Sequence, residues 1–345
     1  MATTQNIEQK CLSTESFTGS NEEDRTTLTD QKSERTSVRQ ISSNVVSLKS
    51  DRDIFLDTAL SSIIDRTLVY LRSGIPVHLR GPAGAGKTTL ALQAAARLNR
   101  PAVLMSGDSC LSSQDLVGKE TGTRSRRVVD KFIHSVQKTE LETVGVWVDK
   151  HLTTAVLNGY TLVYDEFTRS PANANNALLT ALEERRLIVP GRSDEETLIE
   201  AHPEFRVIFT SNPDDYAGVE VPQDALIDRM ITLDVASHSV DTEAGIISVR
   251  SGLDIGIAKR IALLVRRLRA ETQQTRTSVR SSIMIAKVVA ANRLNSRMTD
   301  AAFVQLCIDA LFSQWSQNEE VANRAKFITE LANALRSIDI EEENL

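Results

Sequence analysis

Cysteine and histidine are scarce in this chain of 345 residues, and their scarcity excludes two classes of site. The three cysteines, Cys11, Cys110 and Cys307, are far apart and odd in number. This spacing excludes a disulfide framework and predicts a reducing, cytoplasmic environment. The five histidines show no ligand spacing, so we expect no metal site built from protein ligands alone.

Long apolar runs and an excess of positive charge are also missing. No run approaches the ~18 apolar residues of a membrane-spanning helix, so we expect no membrane segment. The first residues lack the apolar core of a secretory signal. The net charge of −6 argues against nucleic acid as a partner. Hydrophobic residues make up 41% of the chain, which is ordinary for a globular protein.

The chain divides into four segments of different composition. Residues 1–44 are polar and lack periodicity, so they cannot bury enough surface to fold and are predicted to be disordered. Residues 45–236 alternate short apolar runs with helical patterns, which is typical of a parallel sheet between helices. Residues 237–338 show helical patterns only, and 339–345 form an acidic tail that we expect to fray. The five apolar runs, each a predicted strand, are 75–80, 102–105, 161–164, 205–210 and 230–235.

The most informative pattern follows the first run. The stretch Gly81-Pro82-Ala83-Gly84-Ala85-Gly86-Lys87-Thr88 fits G-x-x-x-x-G-K-[ST], the phosphate-binding P-loop. Its glycines let backbone N–H groups point at phosphate oxygens, and Lys87 adds positive charge over the β- and γ-phosphates. The helical pattern that begins near Thr89 directs its positive dipole end at the same anion. We predict that residues 81–89 bind ATP; the alternative is a tight glycine turn between a strand and a helix.

Two carboxylates end the third run. Asp165 has the chemistry to hold Mg²⁺, directly or through water, and the Thr88 hydroxyl is a second candidate ligand of that ion. Glu166 would orient and polarise the attacking water. A single catalytic carboxylate beside the metal indicates hydrolysis rather than transfer to a second substrate. The alternative is a helix-capping Asp165 and a solvated Glu166.

Three further residues could reach the phosphates, and each has a plainer alternative. Asn212 could hydrogen-bond the γ-phosphate or the attacking water; an Asx turn before the following proline also explains it. Arg229 could reach a neighbouring subunit's γ-phosphate, or form a surface salt bridge with Asp228 or Asp224. Arg280 could reach back to the nucleotide, or be an exposed arginine near a helix start.

The order of these motifs resembles that of an AAA+ ATPase. The segment Asp165-Glu166-Phe167-Thr168-Arg169-Ser170-Pro171, followed by Asn-Ala-Leu-Leu-Thr-Ala-Leu-Glu-Glu-Arg at 176–185, looks like the MoxR branch. That branch commonly has DEINRAPP and then ALLEAMEER. Phe167-Thr168 replaces the usual Ile-Asn, and this change, together with the stretch 70–84, resembles the gas vesicle protein N family (GvpN). The resemblance covers roughly residues 50–335.

The resemblance implies a fold and a set of roles. The fold is an AAA+ P-loop core, with a five-stranded parallel sheet between helices, followed by an all-α lid. It also implies an inserted helical segment within 126–159 and a hairpin within 187–202. It further implies a homo-oligomeric ring, a hexamer, in which each nucleotide lies against a neighbouring subunit. The implied roles are phosphate and Mg²⁺ binding for Lys87 and Thr88, Walker B for Asp165 and Glu166, sensor 1 for Asn212, arginine finger for Arg229 and sensor 2 for Arg280.

The resemblance further implies a cytoplasmic ATPase that assembles or remodels gas vesicle proteins and associates with the vesicles. Two alternatives stay open: an ATP-binding structural component of the vesicle, and a MoxR-type chaperone for another protein complex. A GTPase would need a downstream Asn-Lys-x-Asp motif, which the sequence lacks. A small-molecule kinase would not need Arg229 and a separate lid. A nucleic-acid remodeller is disfavoured by the acidic balance.

Overall fold

The computed structural model describes residues 45–46, 54–133, 136–189, 198–212, 224–272, 278–297, 300–315 and 322–343. All of them belong to one structural unit. The polar segment 1–44, predicted to be disordered, lies outside the described residues. The division at residue 236 into two domains stays a prediction.

The described strands fall into one large sheet and two hairpins. In chain order they are β1 (Val45–Val46), β2 (Val77–Arg80), β3 (Ala102–Ser106), β4 (Gly118–Ile133), β5 (Val136–Asp149), β6 (Thr161–Asp165), β7 (Arg186–Ile188), β8 (Leu198–Glu200), β9 (Arg206–Ser211) and β10 (Ile231–Asp234).

The described helices flank the sheet and then continue alone. They are α1 (Thr58–Arg72), α2 (Lys87–Arg97), α3 (Ser113–Val117), α4 (His151–Asn158), α5 (Ala172–Glu183), α6 (Asp224–Ile227), α7 (Val240–Ser251), α8 (Ile255–Thr272), α9 (Val279–Asn292), α10 (Ala301–Trp315) and α11 (Ala322–Glu343).

The large sheet has the order β1-β3-β6-β9-β2-β10. Its five strands from β3 to β10 are parallel, which confirms the predicted five-stranded parallel sheet. The two-residue strand β1 adds an antiparallel edge beside β3. The sequence did not predict this strand, because so short an edge pairs through its backbone and needs no apolar run.

Alternate residues of the central strands enter two different cores. In β6, Leu162 packs with the helices α4 and α5, whereas Val163 packs with α1 and α2. In β9, Phe209 and Ile208 divide in the same way. The sheet is therefore buried on both faces, which explains why its strands are continuous apolar runs in the sequence.

After β10 the described chain is helical, as predicted. Helix α8 has its buried residues at helical spacing, with Ala258, Ile261, Ala262 and Val265 all fully buried. They belong to a third core with α7, α9, α10 and α11. Helix α11 runs to Glu343, through most of the segment expected to fray. Asp339 of that helix accepts a hydrogen bond from Arg260, and this contact ties the acidic end to α8.

The predicted helical insertion is wrong for most of its length. Within 126–159, the structure has the antiparallel pair β4–β5 up to Asp149, and only α4 is helical. The sequence of β4 and β5 is rich in valine and threonine, whose β-branched side chains favour strands over helices. The hairpin expected within 187–202 is confirmed as β7–β8, with Ile188 opposite Leu198.

Among the described residues, none of the helices is both long and apolar enough to cross a membrane.

Candidate active site

The strand β2 leads into a loop whose backbone is suited to wrap an anion. Gly84 and Gly86 have φ angles of +81° and +77°, in the left-handed region that side chains other than glycine rarely adopt. A Cβ atom on Gly81 would lie 2.2 Å from the carbonyl oxygen of Val235. Gly86 is the N-cap residue of α2, so the loop ends at the positive end of that helix.

Lys87, the first residue of α2, folds back over this loop. Its ammonium group donates to the carbonyl oxygens of Gly81 at 2.8 Å and Pro82 at 2.7 Å. The residue is only 8% exposed. These bonds hold a positive charge inside the curve of the loop, next to the helix N-terminus.

The two residues expected to hold Mg²⁺ meet directly. The Thr88 hydroxyl donates to Oδ1 of Asp165 at 2.7 Å. Thr88 lies in the first turn of α2, and Asp165 is the last residue of β6. A hydroxyl and a carboxylate are hard oxygen donors, the type of ligand that Mg²⁺ prefers, so the donor set fits this ion.

Thr210 is a site residue that the sequence reasoning missed. Its hydroxyl donates to the same Oδ1 atom of Asp165 and accepts from the backbone N–H of Glu166 at 3.0 Å. The side chain is fully buried between β9 and β6. A hydroxyl residue at the end of a central strand, two positions before Asn212, was the signal available in the sequence.

Glu166 has a strained backbone and an ion pair. Its φ of +51° and ψ of +42° place it in the left-handed region, where a residue with a Cβ is uncommon. Arg169, one turn further along, holds its carboxylate with 2.9 Å between Nε and Oε2. Such strain persists where surrounding contacts fix it and is frequent at active sites. The Thr210 bond to the Glu166 N–H is one such contact.

Lys87, Thr88, Asp165 and Glu166 line one cavity of about 290 Å³. Asn212, which follows β9, and Arg280, in the first turn of α9, both line it together with the loop. A Cβ atom on Gly84 would lie 2.8 Å from the Cβ of Ser278, so the loop touches the start of α9. The sequence-predicted residues that the structure gathers around this cavity are 83–89, Asp165, Glu166, Asn212 and Arg280.

Apolar side chains also line the cavity. They belong to Ile54, Phe55, Leu56, Leu60, Ile246 and Ile283. His238 also lines the cavity, and burial lowers the pKa of this imidazole against the opposing charge of Asp57. A cavity lined both by the cationic phosphate loop and by apolar side chains matches a ligand that carries phosphates and a flat base.

Arg229 lies away from the residues that line the cavity. Its Nε donates to Oε2 of Glu183 at 2.9 Å, and another guanidinium nitrogen reaches the Ala225 carbonyl. The sequence reasoning offered Asp228 or Asp224 as an ion-pair partner, but the carboxylate it meets is Glu183 at the end of α5. The structure thus does not bring Arg229 to its own chain's candidate site.

Comparison with known proteins identifies the family. Residues 76–230 match the AAA domain of the dynein-related subfamily. Gas vesicle ATPase GvpN from Ancylobacter aquaticus is 49% identical over 266 residues, which is 76% of this chain and 74% of that protein. The chain belongs to the GvpN family. The resemblance drawn from 165–171 and 70–84 is confirmed.

More distant relatives place this GvpN family member within a larger group. Gas vesicle ATPase GvpN from Haloferax mediterranei is 38% identical over 271 residues, or 77% of this chain and 76% of that protein. Protein NorQ from Paracoccus denitrificans is 26% identical over 239 residues, or 68% and 81%. The chain is an AAA+ ATPase of the MoxR type, and it binds nucleotide.

Proposed function

We propose that this chain hydrolyses Mg²⁺-ATP and uses the energy to assemble or remodel gas vesicle proteins. The observation that carries the catalytic part is the meeting of the phosphate loop, the Thr88–Asp165 pair and Glu166 around one cavity. The gas vesicle part rests on membership of the GvpN family.

In this proposal each residue has a separate role at the phosphates. The loop N–H groups and the Lys87 ammonium bind the β- and γ-phosphates. Thr88 and Asp165 hold Mg²⁺, which neutralises phosphate charge when bound. Thr210 fixes the orientation of Asp165 through its hydrogen bond to Oδ1. Since the Thr88 and Thr210 hydroxyls both donate to Oδ1 of Asp165, Oδ2 would be the oxygen available to Mg²⁺.

Glu166 and Asn212 position and activate the attacking water. Glu166 accepts a proton from the water and orients it towards the γ-phosphate. Asn212 donates a hydrogen bond to the γ-phosphate or to the water. Arg280 approaches the phosphates from α9 and thereby links nucleotide binding to the position of the C-terminal helices.

The proposed assembly is a homo-oligomeric ring, hexameric by its resemblance to other AAA+ proteins, in which Arg229 serves the next subunit. Arg229 is not among the residues that line its own chain's cavity, and it is bound to Glu183 at the surface. An arginine that completes a neighbour's site stabilises charge on the transferred phosphoryl group and raises the rate by orders of magnitude.

Mixing variants tests this shared site. Arg229→Ala and Lys87→Ala should each be inactive alone, and a subunit-exchanging mixture should regain part of the ATPase activity. Some interfaces of the mixed ring pair an intact loop with an intact arginine. The Arg229–Glu183 pair is exposed and contributes only ~0–1 kcal/mol, so the substitution should leave the fold intact.

The control for the mixture is Arg336→Ala, an exposed arginine of α11. Mixed with Lys87→Ala, it should show only the activity expected from its own fraction. If mixtures containing Arg229→Ala gain nothing although subunits exchange, Arg229 acts within its own chain or has no catalytic role.

Complementation tests the gas vesicle function. In a vesicle-forming cell that lacks this gene, the wild-type chain should restore full-length vesicles, whereas Lys87→Ala and Glu166→Gln should leave them absent or arrested small. The reason is that only a chain that turns over ATP can drive repeated rearrangement of the wall subunits. Vesicle number and length are scored by electron microscopy.

The outcomes separate the alternatives. Full-length vesicles with both inactive variants would favour a structural ATP-binding component. Normal vesicles without any copy of the chain would favour a MoxR-type chaperone for another complex. Lysates of the same cells can be separated into floating vesicles and soluble protein. The amount of the chain in each fraction shows whether it is cytoplasmic, vesicle-bound or both.

A further inference from the structure

A buried histidine lies behind the candidate active site. His78 is in the middle of β2, between the fully buried residues Val77 and Leu79, and is itself only 2% exposed. Its Nε2 lies 2.7 Å from the Ser211 hydroxyl, and its Nδ1 lies 3.1 Å from the Thr232 hydroxyl. The imidazole therefore bridges the two strands that flank β2, which are β9 and β10.

The environment keeps this imidazole uncharged. Burial, and after it the positive charge of Arg80, lower the pKa of His78 to about 4, against the opposing effect of Asp234. A neutral imidazole has one nitrogen that donates and one that accepts. A hydroxyl can take either role, so Ser211 and Thr232 satisfy both nitrogens inside a sheet where an unpaired polar group would be costly.

The contacts of His78 reach the neighbours of both predicted catalytic residues. Ser211 immediately precedes Asn212, and the N–H of Gly81 donates to the Ser211 carbonyl at 3.4 Å. Phe167, which follows Glu166, meets the imidazole edge-on with 5.2 Å between ring centroids and 88° between ring planes. The same side chain thus contacts the strand end that bears Asn212 and the turn that bears Glu166.

We propose that His78 is a positioning residue for ATP hydrolysis, which holds Asn212 through Ser211 and Glu166 through Phe167. This inference rests on the proposed roles of Asn212 and Glu166. Without the imidazole, the end of β9 and the turn after β6 lose their common support. The attacking water would then be aligned less well, while the phosphate loop, which binds most of the nucleotide, would be unchanged.

The test separates turnover from binding. His78→Leu removes both hydrogen bonds and fills the buried position with an apolar side chain of similar size. We expect kcat to fall by ~10- to ~100-fold, because small misplacements of reacting groups have effects of this order. The KM for ATP and the affinity for a non-hydrolysable ATP analogue, measured by calorimetry, should stay within about twofold of wild type.

Three further variants distinguish positioning from general stability. His78→Gln keeps an amide that can bond to Ser211 and should recover most of the lost kcat. Ser211→Ala should lower kcat as His78→Leu does. Thr232→Val, which removes only the bond on the other side of the ring, should leave kcat near wild type. Equal losses in Thr232→Val and His78→Leu, tracking their melting temperatures, would overturn the proposal in favour of a structural histidine.

A double-mutant comparison tests the route. His78→Leu should have a smaller effect on kcat in an Asn212→Ala background than in wild type, because the part of its role that runs through Ser211 is gone and only the part that runs through Phe167 is left. Full additivity of the two effects would contradict the route through Ser211. If Asn212→Ala and Glu166→Gln themselves leave turnover unchanged, the proposed active site fails. If they abolish turnover while His78→Leu does not affect it, only the role of His78 fails.

Discussion

Lys87→Ala is expected to weaken ATP binding by roughly 10- to 100-fold, which corresponds to about 1.5–3 kcal/mol for a charge-assisted contact. The ammonium is held inside the phosphate loop by the carbonyl oxygens of Gly81 and Pro82, so its position is set before a phosphate arrives. The substitution removes the positive charge that would contact the β- and γ-phosphates of ATP. Titration calorimetry with ATP and Mg²⁺ measures the change.

The matched control is Lys287→Ala, which removes an exposed lysine of α9. It should bind ATP as the wild type does. A thermal melt of both variants checks that the loop change leaves the fold intact. Near-normal ATP affinity in folded Lys87→Ala would overturn the assignment of residues 81–89 as the phosphate site.

Glu166→Gln is expected to keep ATP affinity and lose turnover by ~10²- to ~10⁴-fold, the range over which a general base contributes. Glutamine preserves the size of the side chain but removes its charge and its ability to accept a proton. The ion pair with Arg169 is lost as well. The side chains of Arg169 and Glu166 are both at least a third exposed, so we expect the loss of their ion pair to change the free energy of unfolding by no more than ~1 kcal/mol.

Single-turnover hydrolysis and calorimetry on the same preparation check this result. Glu204→Gln, an exposed glutamate before β9, is the control and should behave as wild type. Single-turnover hydrolysis at the wild-type rate in Glu166→Gln would show that another group activates the water. The variant should also retain partner proteins in the presence of ATP, which offers a way to identify them.

Much of the fold could be predicted because its signals are local. The apolar runs predicted the five parallel strands, and the central strands β6 and β9 are buried on both faces in the structure. The helical patterns of 237–338 predicted an all-helical segment, and the described part of it consists of α7 to α11 joined by loops. The helical segment expected between α3 and α4 is wrong. The resemblance to MoxR proteins implies a helix there, but the β-branched residues of 118–149 favour strands, and the structure has the pair β4–β5.

The sequence predicted the site residues that belong to motifs, but not the residues that support them from other strands. The residues of the loop, Asp165 and Glu166 were found from pattern, because phosphate and Mg²⁺ chemistry demand those residue types at that spacing. Thr210 and His78 carry no motif. Their partners lie on neighbouring strands that are distant in sequence, and only the strand register sets them side by side.

The sequence by itself determined the chemistry of this protein: a phosphate loop, a carboxylate pair and the family that combines them. Only the tertiary structure decided which side chains share the cavity and that Arg229 is bound to Glu183 rather than lining it. It also decided that His78 contacts Ser211 and Phe167, the chain neighbours of Asn212 and Glu166. The physical reason is that a motif needs only the local backbone, whereas hydrogen bonds between strands depend on sheet order and register, which the whole core fixes.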